Sequence, residues 1–184
     1  MANRVRAALF IALSLAYPLV VYLALGRFEP RWLALLLMAL ALLRALATRQ
    51  PVWLAAAGGA AILAALTTVF NDALPLKLYP ALVNAVMLVV FAVSLRFPPT
   101  VVERIARVSE PDLPARAVAY TRRVTQVWCV FFIFNGALAL ATALWTTDRV
   151  WALYNGGIAY LLMGALFAGE WLVRQRVRAA HRHE

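Results

Sequence analysis

At 184 residues the chain has room for one domain. With 65% apolar residues, 14% charged residues and a mean hydropathy of +0.79 it is too apolar for a soluble one, which runs near half apolar and a quarter charged. The net charge of +10 sits in short runs between apolar segments and not on the polar face of a folded domain, which points to membrane topology and away from nucleic acid.

Six apolar segments follow one another, at 7–25, 32–47, 52–70, 78–95, 124–145 and 150–173. Each is about long enough to cross a bilayer as a helix, at roughly 20 residues per crossing. They use most of the chain, so no separate soluble catalytic domain fits. Arg4 and Arg6 before the first segment resemble the start of a signal peptide, but the apolar run is longer than a usual signal core and a second span follows almost at once. An uncleaved first helix is expected, with cleavage near Gly26 as the alternative. The second segment is the shortest and carries Arg44 near one end, where a long side chain can snorkel to the interface. In the third, the row Ala55-Ala56-Ala57-Gly58-Gly59-Ala60-Ala61 lets a neighbouring backbone approach closely. A glycine hinge for alternating access is the other reading of that row. Tyr17-Pro18 and Tyr79-Pro80 each open a valine-rich run, but two dipeptides do not make the internal repeat of a transporter.

Tight turns at 26–31, 48–51 and 146–149 force antiparallel neighbours. Counting Arg and Lys in the connections then sets the orientation. With the N-terminus inside, the inner connections hold fourteen basic residues (Arg4 and Arg6; Arg44 and Arg49; Arg96, Arg104, Arg107, Arg116, Arg122 and Arg123; Arg174, Arg176, Arg178 and Arg182), and the outer ones hold four (Arg27, Arg31, Lys77 and Arg149). The expected fold is therefore all-α: one polytopic transmembrane helical bundle over 1–184 with about six spans, both ends cytoplasmic, a cytoplasmic loop at 96–123 and a basic tail at 174–184.

The long loop holds the most information. Val101, Val102, Ile105 and Val108 fall on one helical face while Glu103, Arg104 and Arg107 fall elsewhere, which predicts a short amphipathic helix in the headgroup layer before the fifth span. Glu110 to Pro114 end it, and Pro114 suits the first turn of the next helix. From Ala115 the helical period resumes, so the fifth helix is expected to begin in the cytoplasm and run unbroken into the membrane. Its collar is Arg116, Tyr120 and Arg123, joined by Arg122. Anchoring by the positive-inside rule and anionic lipid explains such a collar, at about 1 kcal/mol per basic residue near the surface. A pocket for a phosphorylated lipid headgroup or for a partner's acidic segment is the functional alternative.

Polar residues inside the bilayer are costly and therefore informative. Asn135 falls near the middle of the fifth helix, and Asn84 and Asn155 lie a turn or two in from the outer ends of theirs. Structural hydrogen bonds between helices are one reading, and the lining of a polar cavity is the other. Glu170 is followed by Arg174 at i+4, the spacing of a helix-surface ion pair. Trp32, Trp53, Trp145, Trp151 and Trp171 lie near span ends as an interfacial belt requires, while Trp128, Phe131 and Phe132 read as core. The single cysteine, Cys129, lies in an apolar run and excludes an intramolecular disulfide or a thiolate metal site.

Chemistry-bearing patterns are missing: there is no pair of intramembrane carboxylates, no His cluster, no zinc spacing and no serine beside a base. The best constellation for an enzyme is Glu103, Glu110 and Asp112 with the nearby arginines, which would hold Mg²⁺ and a diphosphate, but no repeated aspartate-rich motif accompanies it. The sequence thus leans away from catalysis and implies no cofactor and no metal.

The residues Leu66-Thr67, Phe70-Asn71-Asp72, Lys77, Leu113-Pro114, Trp128, Phe131-Phe132, Gly136, Trp145 and Trp151 resemble the pattern of the YciB family, also called intracellular septation protein A. The likeness covers roughly 66–172. It implies a multi-pass protein of the bacterial inner membrane, tied to cell-envelope maintenance, septation and lipid homeostasis, with no established catalytic residues. At Tyr120 to Arg123, Thr125 and Tyr154-Asn155-Gly156 the chain departs from that pattern. There it looks similar to a sister group of uncharacterised membrane proteins found beside aryl-polyene and fatty-acid-type biosynthesis genes. The expected partners are the bilayer, anionic or phosphorylated headgroups, and envelope or division proteins. A carrier or flippase for a lipid-linked intermediate, or an accessory protein of aryl-polyene or lipid biosynthesis, is the alternative function.

Overall fold

A computed structural model of the chain describes residues 19–24, 29–48 and 51–180. Most of the expected first span, the end of the basic tail and residues Arg4, Arg6, Arg27, Arg49 and Arg182 lie outside the described residues. After a helical stretch over 19–24 come α1 (Pro30–Thr48), α2 (Pro51–Phe70), the single-turn α3 (Leu74–Lys77), α4 (Tyr79–Arg96), α5 (Val101–Ser109), α6 (Ala115–Trp145) and α7 (Asp148–Leu153). A π-helical turn at Tyr154–Ile158 then leads into α8 (Ala159–Ala180). Among the described residues there is no strand.

Among the described residues three helices are long and apolar enough to cross a membrane: α4, α6, and the continuous rod Asp148–Gln175 formed by α7, the π turn and most of α8. The described parts of the expected second and third spans are helical within α1 and α2. With 31 residues, α6 is about 46 Å long at 1.5 Å per residue. A hydrocarbon core of about 30 Å takes up some twenty residues of a crossing helix, so α6 is about three turns longer than one crossing needs.

Local chemistry sets the helix ends. Proline occupies the first turn of α3 and of α4, where its missing N–H costs nothing. Asn71 stops α2 in a left-handed conformation (φ 47°), which asparagine tolerates better than most residues. Asp72 Oδ1 then accepts from the Leu74 backbone N–H at 2.8 Å and opens α3. Thr100 caps α5 by accepting from Glu103 N, and Thr147 caps α7 by accepting from Val150 N.

Packing is most extensive between α4 and α6 and within the α1–α2 hairpin, with α2 also meeting α4. Lipid removes the hydrophobic drive for helix association, so close approach has to come from small residues. Ala57, Ala60 and Ala64 are buried along one face of α2. At Gly59 an added Cβ would lie 2.6 Å from Leu82 Cδ2, whereas Gly58 has open space. The small-residue row is thus used for packing inside an uninterrupted helix. At the other contact, a Cβ on Gly136 would lie 3.0 Å from Asn84 Cβ, so glycine is what lets α6 close on α4. An aromatic cluster extends this seam: Phe91 meets Phe132 edge-on at 5.1 Å, and Trp128 lies 4.6 Å from Phe167 of α8.

One sequence expectation changes. Trp151 is fully buried and not part of an interfacial belt, because its indole Nε1 donates to the Lys77 carbonyl at 3.0 Å at the end of α3. The amphipathic helix exists as α5, and its apolar residues divide between the bundle and the outside. Val102 packs with Phe91 and Trp128, and Glu103 is buried beside it, while Ile105 and Val108 are 65% and 85% exposed. Docking against the bundle selects the Val102–Glu103 edge and leaves the most apolar stripe facing outward.

Candidate functional site

The arginine-rich ends of three helices meet at one end of the bundle. Arg122 Nη1 donates to the Leu95 carbonyl at 3.0 Å, tying α6 to the last turn of α4. Tyr120 donates through its hydroxyl to the Glu170 carbonyl at 3.3 Å and lies 3.4 Å from Glu170 Oε1, tying α6 to α8. Glu170 also accepts from Arg174 Nε at 2.9 Å and Nη2 at 2.7 Å, the i,i+4 pair expected from the sequence. At the opposite end, Lys77 pairs with Asp148 at 2.9 Å. Among these three helices α6 therefore runs antiparallel to α4 and to α8.

Of the four collar residues, Tyr120 and Arg122 have partners in the fold, while Arg116 and Arg123 are exposed and form no ion pair among the described residues. Exposed Arg96 and Arg104 add to the same end. The nearby acids that could neutralise it are partly spent: Glu170 on Arg174, and Glu103 on Arg107, whose Nε and Nη2 reach Glu103 Oε1 at 3.0 and 2.7 Å. What remains is a cationic rim on the first turns of α6, able to attract anions through several guanidinium groups at once.

Glu103 is therefore held by Arg107 and turned into the protein. Among the described residues no group of three or more His, Cys, Asp or Glu side chains is placed to hold a metal ion.

The intramembrane asparagines form two small networks. Asn84 Nδ2 donates to the Pro80 carbonyl at 2.8 Å, and its Oδ1 accepts from Asn135 Nδ2 at 3.0 Å. Asn135 Oδ1 in turn accepts from the Tyr154 hydroxyl at 2.8 Å, so one relay crosses α4, α6 and the π turn. Asn155 turns instead to Thr142 Oγ1 at 3.2 Å and the Trp151 carbonyl at 3.0 Å. The asparagines all lie buried, and among the described residues no buried side-chain nitrogen or oxygen lacks a hydrogen-bond partner. In lipid this closure matters, since an unsatisfied polar group has no water to turn to.

Sequence reasoning found the asparagines but missed Tyr154 as the third member of their relay. The adjacent Gly156-Gly157 was the available signal: two glycines inside an apolar helix allow a π turn, and π turns concentrate where a helix has a special task. The chain matches no protein-family model, no curated protein and no solved structure.

Proposed function

We propose that this protein is a non-enzymatic, multi-pass protein of the bacterial inner membrane that serves envelope maintenance, septation or lipid homeostasis, using the collar of α6 as its interaction surface. In this reading the bundle has six spans with both ends cytoplasmic, and the arginine-rich end faces the cytoplasm. The observation that carries the proposal is the cationic rim itself. Arg116 and Arg123 stand exposed on turns of α6 that outrun the hydrocarbon core, while Glu103 and Glu170 are already engaged by their own arginines. An anionic headgroup, or the acidic segment of an envelope or division partner, is the chemistry such a rim selects. Three of the YciB-like residues, Trp128, Phe132 and Gly136, form the α4–α6 seam beneath that rim.

The test is to replace Arg116, Arg122 and Arg123 together by glutamine in the full chain. The expected result is normal membrane insertion with loss of capture by beads carrying glycerophosphoglycerol, the headgroup of phosphatidylglycerol without its acyl chains, and loss of rescue of the envelope defect in a deletion strain. Unchanged capture and full rescue would overturn the proposal.

A carrier for a lipid-linked intermediate is the second reading, favoured by the polar relay at mid-membrane beside a π turn. It requires the relay to open. Asn135→Leu would then abolish transbilayer movement of a fluorescent lipid in proteoliposomes holding the wild-type chain's activity, and a wild-type chain with no such activity removes the reading.

A further inference from the structure

Between the last three turns of α4 and the start of α5 runs an open crevice of about 280 Å³, lined by Val89, Val90, Val93, Ser94, Phe97, Val101 and Arg104. Enclosed small-molecule sites run from roughly 300 to 1,000 Å³, so this space suits one limb of a larger amphiphile and not a whole ligand. Its floor is made by a local polar device. Ser94 Oγ donates to the Phe91 carbonyl at 2.7 Å and accepts from Val101 N–H at 3.1 Å, which satisfies the buried hydroxyl and pins the first residue of α5 to α4. What the crevice presents is hydrocarbon: Val89 and Val93, one turn apart on α4, and Phe97 just past its end are all exposed.

One cation stands at the mouth. Arg104 Nε donates to the Pro99 carbonyl at 2.9 Å, an anchor that fixes the guanidinium, and its two terminal nitrogens make no further hydrogen bond among the described residues. Arg96, stacked 5.5 Å above the Phe97 ring, lies at the same end. From Val89 to Phe97 the apolar wall is about 12 Å long at 1.5 Å per residue, and it ends where the arginines begin. An apolar trough closing on fixed positive charge complements a molecule with a hydrocarbon limb and an anionic head.

We infer that this crevice seats one acyl chain of an anionic phospholipid, whose phosphate rests on the Arg104 guanidinium with Arg96 beside it. A second transmembrane helix fits less well. It would need small residues for close approach, whereas this wall is β-branched valine and a phenylalanine. The site is separate from the collar. It shares with the proposed function only the reading that the arginine-rich end meets the headgroup layer.

The test uses native mass spectrometry of the full chain extracted in mild detergent and supplied with phosphatidylglycerol or phosphatidylcholine. Wild type is expected to retain one phosphatidylglycerol at least five-fold more than phosphatidylcholine. Arg104→Gln, and separately Val93→Trp to fill the trough, are each expected to lower that occupancy about five-fold or more. Arg104→Lys should keep part of it. Joint replacement of Arg116, Arg122 and Arg123 by glutamine should leave it unchanged, so failure of the collar proposal and failure of this one read out separately. Equal retention of the two lipids would overturn the inference, as would wild-type occupancy in Arg104→Gln. Loss of the bound lipid in the collar variant, with the crevice variants intact, would overturn it too.

Discussion

Asn135 Nδ2 donates to Asn84 Oδ1 at 3.0 Å, and the residue after Asn135 is the glycine that lets the two helices come close enough for that bond to form. The polar pair and the missing side chain are one device. Gly136 removes the Cβ that would hold α6 off α4, and the amides use the proximity. Tyr154 then closes the remaining acceptor of Asn135 from the π turn.

Replacing Asn135 by leucine should therefore cost more than a single lipid-buried hydrogen bond. Such bonds average about 0.6 kcal/mol and reach about 1.7, but here both Asn84 and Tyr154 lose a partner. A loss of about 1–2 kcal/mol is expected, measured by unfolding in detergent. Asn84→Ala and Asn135→Ala combined in a double-mutant cycle should show coupling of about 0.5–1.5 kcal/mol. Additive effects would mean the pair is incidental.

Gly136 separates steric from polar effects. Gly136→Ala brings a methyl group to 3.0 Å from Asn84 Cβ, so the helices must part by a few tenths of an ångström. Overpacking of this kind typically costs about 1–3 kcal/mol. Gly136→Val, with two further carbons, should prevent the seam from closing. Gly58→Ala is the control, because a Cβ there meets nothing within 4 Å. Midpoint temperatures should fall in the order Gly58→Ala, Gly136→Ala, Gly136→Val, and equal effects at the two glycines would contradict the packing described above.

The helices were legible in the sequence because a bilayer imposes hydropathy in blocks of known length. The unbroken run of α6 and the Glu170–Arg174 pair were legible because helical period alone decides them. Partners across helices were not. Asn135 could be picked out as costly, but its bond to Tyr154 depends on a π turn that shifts the helical register and turns both Tyr154 and Asn155 inward. The sequence sets Glu103 off the apolar face of α5 but does not tell that it is buried. Its burial depends on Arg107 reaching back over it, and the Thr100 cap fixes the start of the helix that carries both. The crevice at Arg104 was invisible for the same reason, since it exists only once Ser94 pins α5 to α4.

At the opposite end of the bundle, the buried indole should matter more than the ion pair beside it. The Lys77–Asp148 pair has an acid side chain 49% exposed, and exposed pairs contribute only about 0.2–1 kcal/mol. Trp151 is fully buried and its Nε1–H satisfies the Lys77 carbonyl. Trp151→Ala removes a large side chain from the contact with Val21 and Ala143 and should cost about 3–5 kcal/mol. Trp151→Phe keeps most of the volume and should cost about 1–2 kcal/mol. Asp148→Asn should stay below about 1 kcal/mol. Thermal unfolding of the three variants checks the order, and a larger effect for Asp148→Asn than for Trp151→Phe would reverse it.

Arg107 offers the clearest sign test, because only one partner of its pair is buried. The Glu103 side chain is 6% exposed and that of Arg107 is 39% exposed, so the pair falls between surface pairs worth under about 1 kcal/mol and fully buried ones whose breaking costs about 3–5 kcal/mol. Arg107→Gln strands a carboxylate under α5, and it also removes the guanidinium's bond to the Pro111 carbonyl at 2.9 Å. It should weaken docking of α5 by about 1–2 kcal/mol. Glu103→Gln in the same chain removes the stranded charge and should recover part of that loss, although it removes an acid and not a base. Amide exchange across α5 measures this directly: faster in Arg107→Gln than in wild type, and slower again in the double variant. If the double variant exchanged faster than Arg107→Gln alone, the buried carboxylate would not be what the arginine is there to satisfy.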